Sequence, residues 1–201
     1  MSKPIRVAIL IEDFFQDLEV GYPLLRLREE GFEVVTVEPN GRKDYRGKFG
    51  YPLVVDRSIE EVKAKDFDGV VIPGGWAPDQ LRLSKKVLQF VRELFDQGKV
   101  VASICHGGWV LASSGISKGK TLTSYIAIKD DLRNAGANFV DREVVRDGNL
   151  ITSRKPEDLP AFCREIIRAL REQVSSQEPR GAREGVKDFD RRRRRGYPQS
   201  R

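Results

Sequence analysis

Cysteine and histidine are scarce in this chain of 201 residues, which has two cysteines, Cys105 and Cys163, and one histidine, His106. Two cysteines are too few for a disulfide scaffold, and their scarcity favours a reducing compartment. One histidine and two separated cysteines also form no ligand set of recognised spacing, so we expect no metal centre. A domain of this length can bury a substantial core without disulfides or a metal.

Long apolar runs are absent as well. The first run, Ile5–Ile11, ends at Glu12-Asp13 and is too short for a signal peptide with its cleavage site. No stretch approaches the ~18 apolar residues that a membrane-spanning helix requires. We therefore expect a cytoplasmic protein without membrane contact.

The net positive charge is concentrated at the C-terminal end of the chain. Residues 175–201 contain nine basic and four acidic side chains, so they hold +5 of the net charge of +6. The near-neutral remainder gives no case for a basic nucleic-acid-binding face. We predict a catalytic domain at 1–174 and a basic, disordered tail at 175–201, whose run Arg191–Arg195 is the single candidate for RNA or other anion binding.

Strand and helix patterns alternate along residues 5–174, which predicts an α/β fold with a mainly parallel sheet and helices on both faces. Asp17 is expected to cap a helix that runs to about Glu30. A hairpin is expected around residues 48–51 and another at Asp147-Gly148. The predicted strands are 5–11, 32–38, 53–55, 69–72, 99–103, 143–146 and 150–152, and the other predicted helices are 84–97, 106–112 and one that opens at Pro156.

Cys105 follows the buried strand of residues 99–103 and precedes a helix that opens with Gly107-Gly108. A nucleophile at such a turn lies at the carboxyl edge of the sheet, where open α/β folds bind ligands. Helix-start N–H groups lower a cysteine's pKa, and the N–H of His106 is a candidate oxyanion donor. The alternative from these residues is a buried core cysteine beside a surface histidine.

Pro73-Gly74-Gly75 also follows a buried strand, and its backbone N–H groups are candidate oxyanion donors, although a simple turn explains the glycines equally well. Spacing does not choose among the acids near the end of the first strand, which equally suit helix capping. These acids are Glu12, Asp13, Asp17 and Glu19. Cys163 has apolar neighbours at helical spacing and is interpreted as structural.

The stretch from about Ile5 to Leu170 resembles the ThiJ/PfpI family, and most closely its PfpI-type intracellular cysteine peptidase branch. The resemblance implies a flavodoxin-like sandwich with a nucleophile elbow at Cys105. The matching segments include Asp17-Leu18-Glu19, Tyr22-Pro23, Pro73-Gly74-Gly75, Ala77-Pro78-Asp79, Ala102–Gly107, Thr123-Ser124-Tyr125, Ile128–Asp131 and Ser153-Arg154.

The same resemblance implies the roles of the site residues. Glu19 is the acid that hydrogen-bonds the Cys105 thiol, and His106 is its partner histidine. Asp79, where a glutamate is more usual, orients that histidine in a neighbouring subunit of a dimer or hexamer. The substrate-binding residues are Gly74, Gly75 and Tyr125, with Gly75 and His106 supplying backbone donors.

Three positions depart from the family pattern. Gly108-Trp109 replaces a proline and its follower, Ile126-Ala127 replaces a Pro-Gly pair, and Gln16 stands where a glutamate is frequent. These changes spare the nucleophile and its acid, so they bear on substrate choice rather than on mechanism.

We therefore predict a cofactor-independent cysteine hydrolase that acts on peptides, or on glyoxal and methylglyoxal and their protein adducts. The alternative is a redox-sensing or chaperone-like stress protein whose Cys105 is oxidised, because exposed thiolates oxidise selectively. The adjacent histidine favours the enzyme, since a sensor needs no group to move protons.

Overall fold

A computed structural model describes residues 3–177 of the chain, and the predicted basic tail lies outside the described residues apart from its first three positions. The strands are β1 (Arg6–Leu10), β2 (Glu33–Glu38), β3 (Asp44–Arg46), β4 (Pro52–Val54), β5 (Arg57–Ser58), β6 (Gly69–Ile72), β7 (Val100–Ile104), β8 (Thr121–Leu122), β9 (Asn138–Phe139), β10 (Val144–Asp147) and β11 (Leu150–Ser153). The helices are α1 (Asp17–Glu29), α2 (Ala77–Leu81), α3 (Lys85–Asp96), α4 (Gly108–Ser113), α5 (Lys129–Asn134) and α6 (Leu159–Gln177).

Seven strands form the central sheet in the order β10-β11-β7-β6-β1-β2-β5. All neighbours are parallel except the β10–β11 hairpin, so the predicted mainly parallel sheet is confirmed. Every residue of β6 and β7 is buried, as strands covered by helices on both faces must be. The helix α3 packs on β6 and β7, while α6 packs on β7, β10 and β11 and against α1.

The strand order reverses at β1, whose neighbours are β6 on one side and β2 on the other. The carboxyl ends of β1, β6 and β7 therefore meet at one edge, the place where open α/β sheets bind ligands. Their continuous apolar runs explain this position, because such strands must lie in the middle of the sheet. Within residues 3–177 no helix combines the length and the apolar character that crossing a bilayer would require.

The predicted cap of α1 is wrong. Gln16 is the N-cap, and its side-chain oxygen accepts hydrogen bonds from the backbone N–H groups of Leu18 and Glu19. The Asp17 carboxylate instead accepts the N–H groups of Phe49 at 2.9 Å and Tyr51 at 3.1 Å. Asp17 therefore holds the hairpin loop of β3 and β4 against the start of α1.

Other boundaries also differ from the sequence prediction, among them the start of the last helix, which is Leu159 after a 3₁₀ turn at Pro156–Asp158 rather than Pro156. The segment after β7 is first a 3₁₀ turn, Cys105–Gly107, and the α-helix begins only at Gly108. The last helix continues to Gln177, three residues beyond the predicted domain boundary at Val174. The hydroxyl groups of Ser175 and Ser176 donate to backbone carbonyls one turn back in this helix.

Candidate active site

A cavity of about 890 Å³ opens at the edge where β1, β6 and β7 end. Six of the seven residues predicted for the site line it: Glu19, Gly75, Asp79, Cys105, His106 and Tyr125. The seventh, Gly74, lies behind them, where a Cβ atom would come within 2.6 Å of both the Cys105 Cβ and the Glu19 Oε2. The fold thus brings together residues from four separate segments of the chain.

Cys105 has the backbone geometry of a nucleophile elbow. Its φ of 59° lies in the left-handed region, which a residue with a side chain adopts only when its surroundings enforce it. Gly107 makes the tight turn possible, because a Cβ there would lie 2.6 Å from the Ile72 carbonyl oxygen. The turn leaves the Cys105 side chain 8% exposed at the floor of the cavity.

His106 does reach the cysteine, as only an elbow-type backbone allows for adjacent residues. Its Nδ1 lies 3.3 Å from the Cys105 Sγ. The imidazole stacks on Tyr125 and meets the edge of Trp109, with both ring centroids 5.1 Å away. Burial lowers the pKa of His106 below its usual value, so the ring is neutral at pH 7, and Nδ1 can accept a proton in the tautomer that has its hydrogen on Nε2.

Glu19 lies on the other side of the thiol and is fully buried. Its Oε2 accepts the Gly74 N–H at 2.7 Å, while its Oε1 has no hydrogen-bond partner among the described residues. Loss of hydration raises the pKa of Glu19 to about 7, although hydrogen bonds from Gly74 and Cys105 and the charge of Lys48 oppose this shift. Glu19 therefore exchanges a proton near neutral pH.

The predicted lowering of the cysteine's pKa is wrong for this structure. Burial, followed by the negative charge of Glu19, raises the pKa of the Cys105 thiol to about 12. The backbone N–H groups of His106 and Gly75 point to the sulfur and lower its pKa, but they are outweighed. The thiol keeps its proton at pH 7 and needs a base when it attacks.

The structure distinguishes the four acids among which sequence spacing could not choose a partner for the cysteine. Glu12 accepts hydrogen bonds from the Asp13 N–H and the Asn40 side chain, and Asp13 pairs with Arg42 at 2.9 Å. Asp17 holds the hairpin loop, as described above. Glu19 alone contacts the cysteine.

Asp79 lies in α2 at the exposed rim of the cavity. Its carboxylate accepts a hydrogen bond from Gln80 at 3.3 Å, and it forms no hydrogen bond or ion pair with His106 of the same chain. Within residues 3–177 no three His, Cys, Asp or Glu side chains are grouped closely enough to hold a metal ion.

Sequence reasoning missed Lys48 and the aromatic side chains at the cavity mouth. Phe14, Phe49 and Trp76 line the mouth and are between 57% and 74% exposed. Lys48 stands among them. Their sequence context gave no sign of this role, because Lys48 and Phe49 belong to a segment that reads as a hairpin turn.

The DJ-1/PfpI family model matches residues 5–169. A deglycase of Pyrococcus abyssi is 48% identical over 166 residues, which are 83% of this chain and 99% of the relative. Deglycase PfpI of Pyrococcus furiosus is 45% identical over the same coverage. These names agree with the predicted class, a PfpI-type cysteine hydrolase.

A solved structure from Anabaena variabilis, a protein with DJ-1/ThiJ/PfpI-like and ferritin-like domains, superposes with a TM-score of 0.81 at 44% identity. The match covers 83% of this chain and 48% of that two-domain chain. Together with the elbow and the strand order, it confirms the predicted flavodoxin-like sandwich. By its sequence and its fold, this chain belongs to the DJ-1/PfpI family.

Proposed function

We propose that the chain is a cofactor-independent cysteine hydrolase of PfpI type with Cys105 as its nucleophile. Its substrates are peptides, or glyoxal and methylglyoxal and their protein adducts. The observation that carries the proposal is the 3.3 Å approach of the His106 Nδ1 to the Cys105 Sγ on a left-handed elbow. A strained backbone that places a base beside a thiol is typical of a catalytic nucleophile.

The groups around Cys105 fit attack on a carbonyl carbon. The sulfur forms a bond to that carbon, the thiol proton passes to the neutral His106 Nδ1, and the carbonyl electron pair moves to oxygen. In this proposal the N–H groups of Gly75 and His106, which point to the sulfur before attack, donate to that oxygen. Glu19, with its pKa near 7, is a second site that can take or return a proton.

Peptide hydrolysis and the conversion of methylglyoxal both need only water as the second reactant. A peptide bond is hydrolysed to an acid and an amine. Methylglyoxal and water give lactate, because the aldehyde carbon is oxidised while the neighbouring ketone carbon is reduced. No external oxidant or reductant enters either balance, which is consistent with a cofactor-independent enzyme.

Self-association into a dimer or a hexamer and a cytoplasmic location belong to the same proposal. Asp79 is exposed at the cavity rim and forms no hydrogen bond or ion pair with His106 of its own chain, so in this proposal it orients the histidine of a second chain. An apolar face of α1 offers a surface for such an interface. Its exposed side chains are Leu18, Tyr22 and Leu25.

The redox-sensing alternative has less support. Selective oxidation needs an exposed thiolate, whereas the Cys105 side chain is nearly buried and its pKa is raised. A nucleophile tolerates this environment, because His106 takes the proton at the moment of attack.

The test is side-by-side turnover of methylglyoxal, a glycated amino acid and a fluorogenic peptide by the purified chain. We expect turnover of at least one of them, and loss of that turnover in Cys105→Ala. No turnover of any of the three, or equal turnover in the variant, would overturn the proposal.

A further inference from the structure

Lys48 is an exposed cation at the mouth of the active-site cavity. Its charge acts on both sides of the nucleophile, because it lowers the pKa of Glu19 and that of His106. Among residues 3–177 it has no carboxylate within ion-pair distance, and its Nζ lies 5.6 Å from the centroid of the Phe49 ring. Arg42, the other cation that lines the cavity, is paired with Asp13.

The backbone that presents Lys48 is fixed without any help from its side chain. The Lys48 N–H donates to the Phe15 carbonyl at 2.7 Å, and the Gly47 N–H donates to the Tyr51 carbonyl at 2.9 Å. The Asp17 carboxylate holds the rest of the loop. The backbone at Lys48 is therefore held at the cavity mouth by hydrogen bonds that do not involve the lysine side chain, which is free to contact a ligand.

None of the four acids that line the cavity forms an ion pair with Lys48. Asp13 is bound to Arg42, Glu12 accepts hydrogen bonds from Asn40 and the Asp13 N–H, and Glu19 is partly protonated near neutral pH. Asp79 is exposed at the rim and forms no ion pair with Lys48. Of the two cations that line the cavity, Lys48 is therefore the one without an ion-pair partner among residues 3–177.

We propose that Lys48 binds a carboxylate of the ligand, so that the site selects small molecules with a carboxylate next to the carbon that faces Cys105. This class comprises 2-oxo acids and the 2-hydroxy acids formed from glyoxal and methylglyoxal. The inference rests on the proposed function for the role of Cys105. It is tested by binding rather than by turnover, so the two can fail separately.

The single histidine of an untagged, full-length chain provides the signal, because the His106 ring protons report on ligand in the cavity by NMR. Glycolate and its neutral isostere glycolamide are the probes. We expect the wild-type protein to bind glycolate about fivefold or more tightly than glycolamide, at the upper end of what an accessible ion pair contributes. Equal binding of the two probes would overturn the proposal without any variant.

Substitutions of Lys48 test whether its charge is the one that binds the carboxylate. In Lys48→Met we expect the preference for glycolate to vanish, while Lys48→Arg keeps it. Lys65→Met is the matched control, since it removes the same charge from an exposed site outside the cavity. The His106 pKa should also rise in Lys48→Met, with Asp131 as the remaining charge that acts on the ring, and stay unchanged in Lys65→Met. A glycolate preference that persists in Lys48→Met would assign the anion to another group.

Discussion

Glu19 is the residue whose environment departs most from that of an ordinary carboxylate. It is fully buried, one of its oxygens has no partner among the described residues, and its pKa is raised to about 7. Below the pKa of about 4.5 that it has in the unfolded chain, both states hold the proton. As the pH rises towards 7, only the unfolded state releases it, so the free energy of unfolding falls.

Glu19→Gln should remove this pH-dependent loss of stability. A shift of this size corresponds to a free energy on the order of 3 kcal/mol. We therefore expect the unfolding free energy of the variant, relative to wild type, to increase by a few kcal/mol between pH 4 and pH 8, while activity falls. Urea unfolding at both pH values measures this difference. A difference that does not change with pH would mean that folding does not raise the pKa of Glu19.

At the scale of elements, the turn from β6 into α2 depends on the backbone of Gly75. Its φ is +80°, and a Cβ atom would lie 2.4 Å from the Gln16 nitrogen and the Phe14 carbonyl oxygen. Both neighbours are backbone atoms and cannot rotate away. The turn therefore requires glycine both for its conformation and for the space available.

Gly75→Ala should destabilise the fold by about 1–3 kcal/mol, the usual magnitude for strain at a left-handed position. Gly21 is the matched control, because it lies inside α1 and a Cβ atom added there would meet nothing within 4 Å. Gly21→Ala should stabilise the protein by about 0.5–1 kcal/mol, because alanine loses less entropy in a helix. Denaturant midpoints measure both changes, and a neutral Gly75→Ala would show that the turn can relax.

The central strands and the elbow could be predicted from the sequence because each depends on a local pattern. The run of apolar residues in β1 and β7 and the small residues after Cys105 determine them directly. The prediction that Asp17 caps α1 was wrong because the Asp17 carboxylate accepts N–H groups of the hairpin loop instead. Gln16 is the N-cap. Such competition involves segments that are distant in sequence, and a local pattern contains no information about it.

The chemistry of the site was only partly predictable for the same reason. The adjacency of Cys105 and His106 is visible in the sequence, and the family resemblance selected Glu19. The raised thiol pKa depends on burial and on a carboxyl group from a different segment, so helix-start reasoning gave the wrong sign. Lys48 is part of a turn, where its side chain gave no functional signal.

At the scale of the whole molecule, the cavity is lined by residues of 3–177, although most of the net charge lies beyond them. A chain that ends at Gln177 keeps all of α6 and loses a segment with a net charge of +5. We expect this truncated chain to retain hydrolysis and to bind heparin more weakly than the full chain. Loss of hydrolysis on truncation would show that the tail contributes to the active site.

The most direct test of the account is the comparison of Cys105→Ala with Cys163→Ala in the turnover of methylglyoxal and of a fluorogenic peptide. Both cysteines are buried, but Cys163 lies in α6 and does not line the cavity. We predict that Cys105→Ala abolishes turnover, whereas folded Cys163→Ala keeps the wild-type rate. Undiminished turnover in Cys105→Ala would contradict the assignment of Cys105 as the nucleophile.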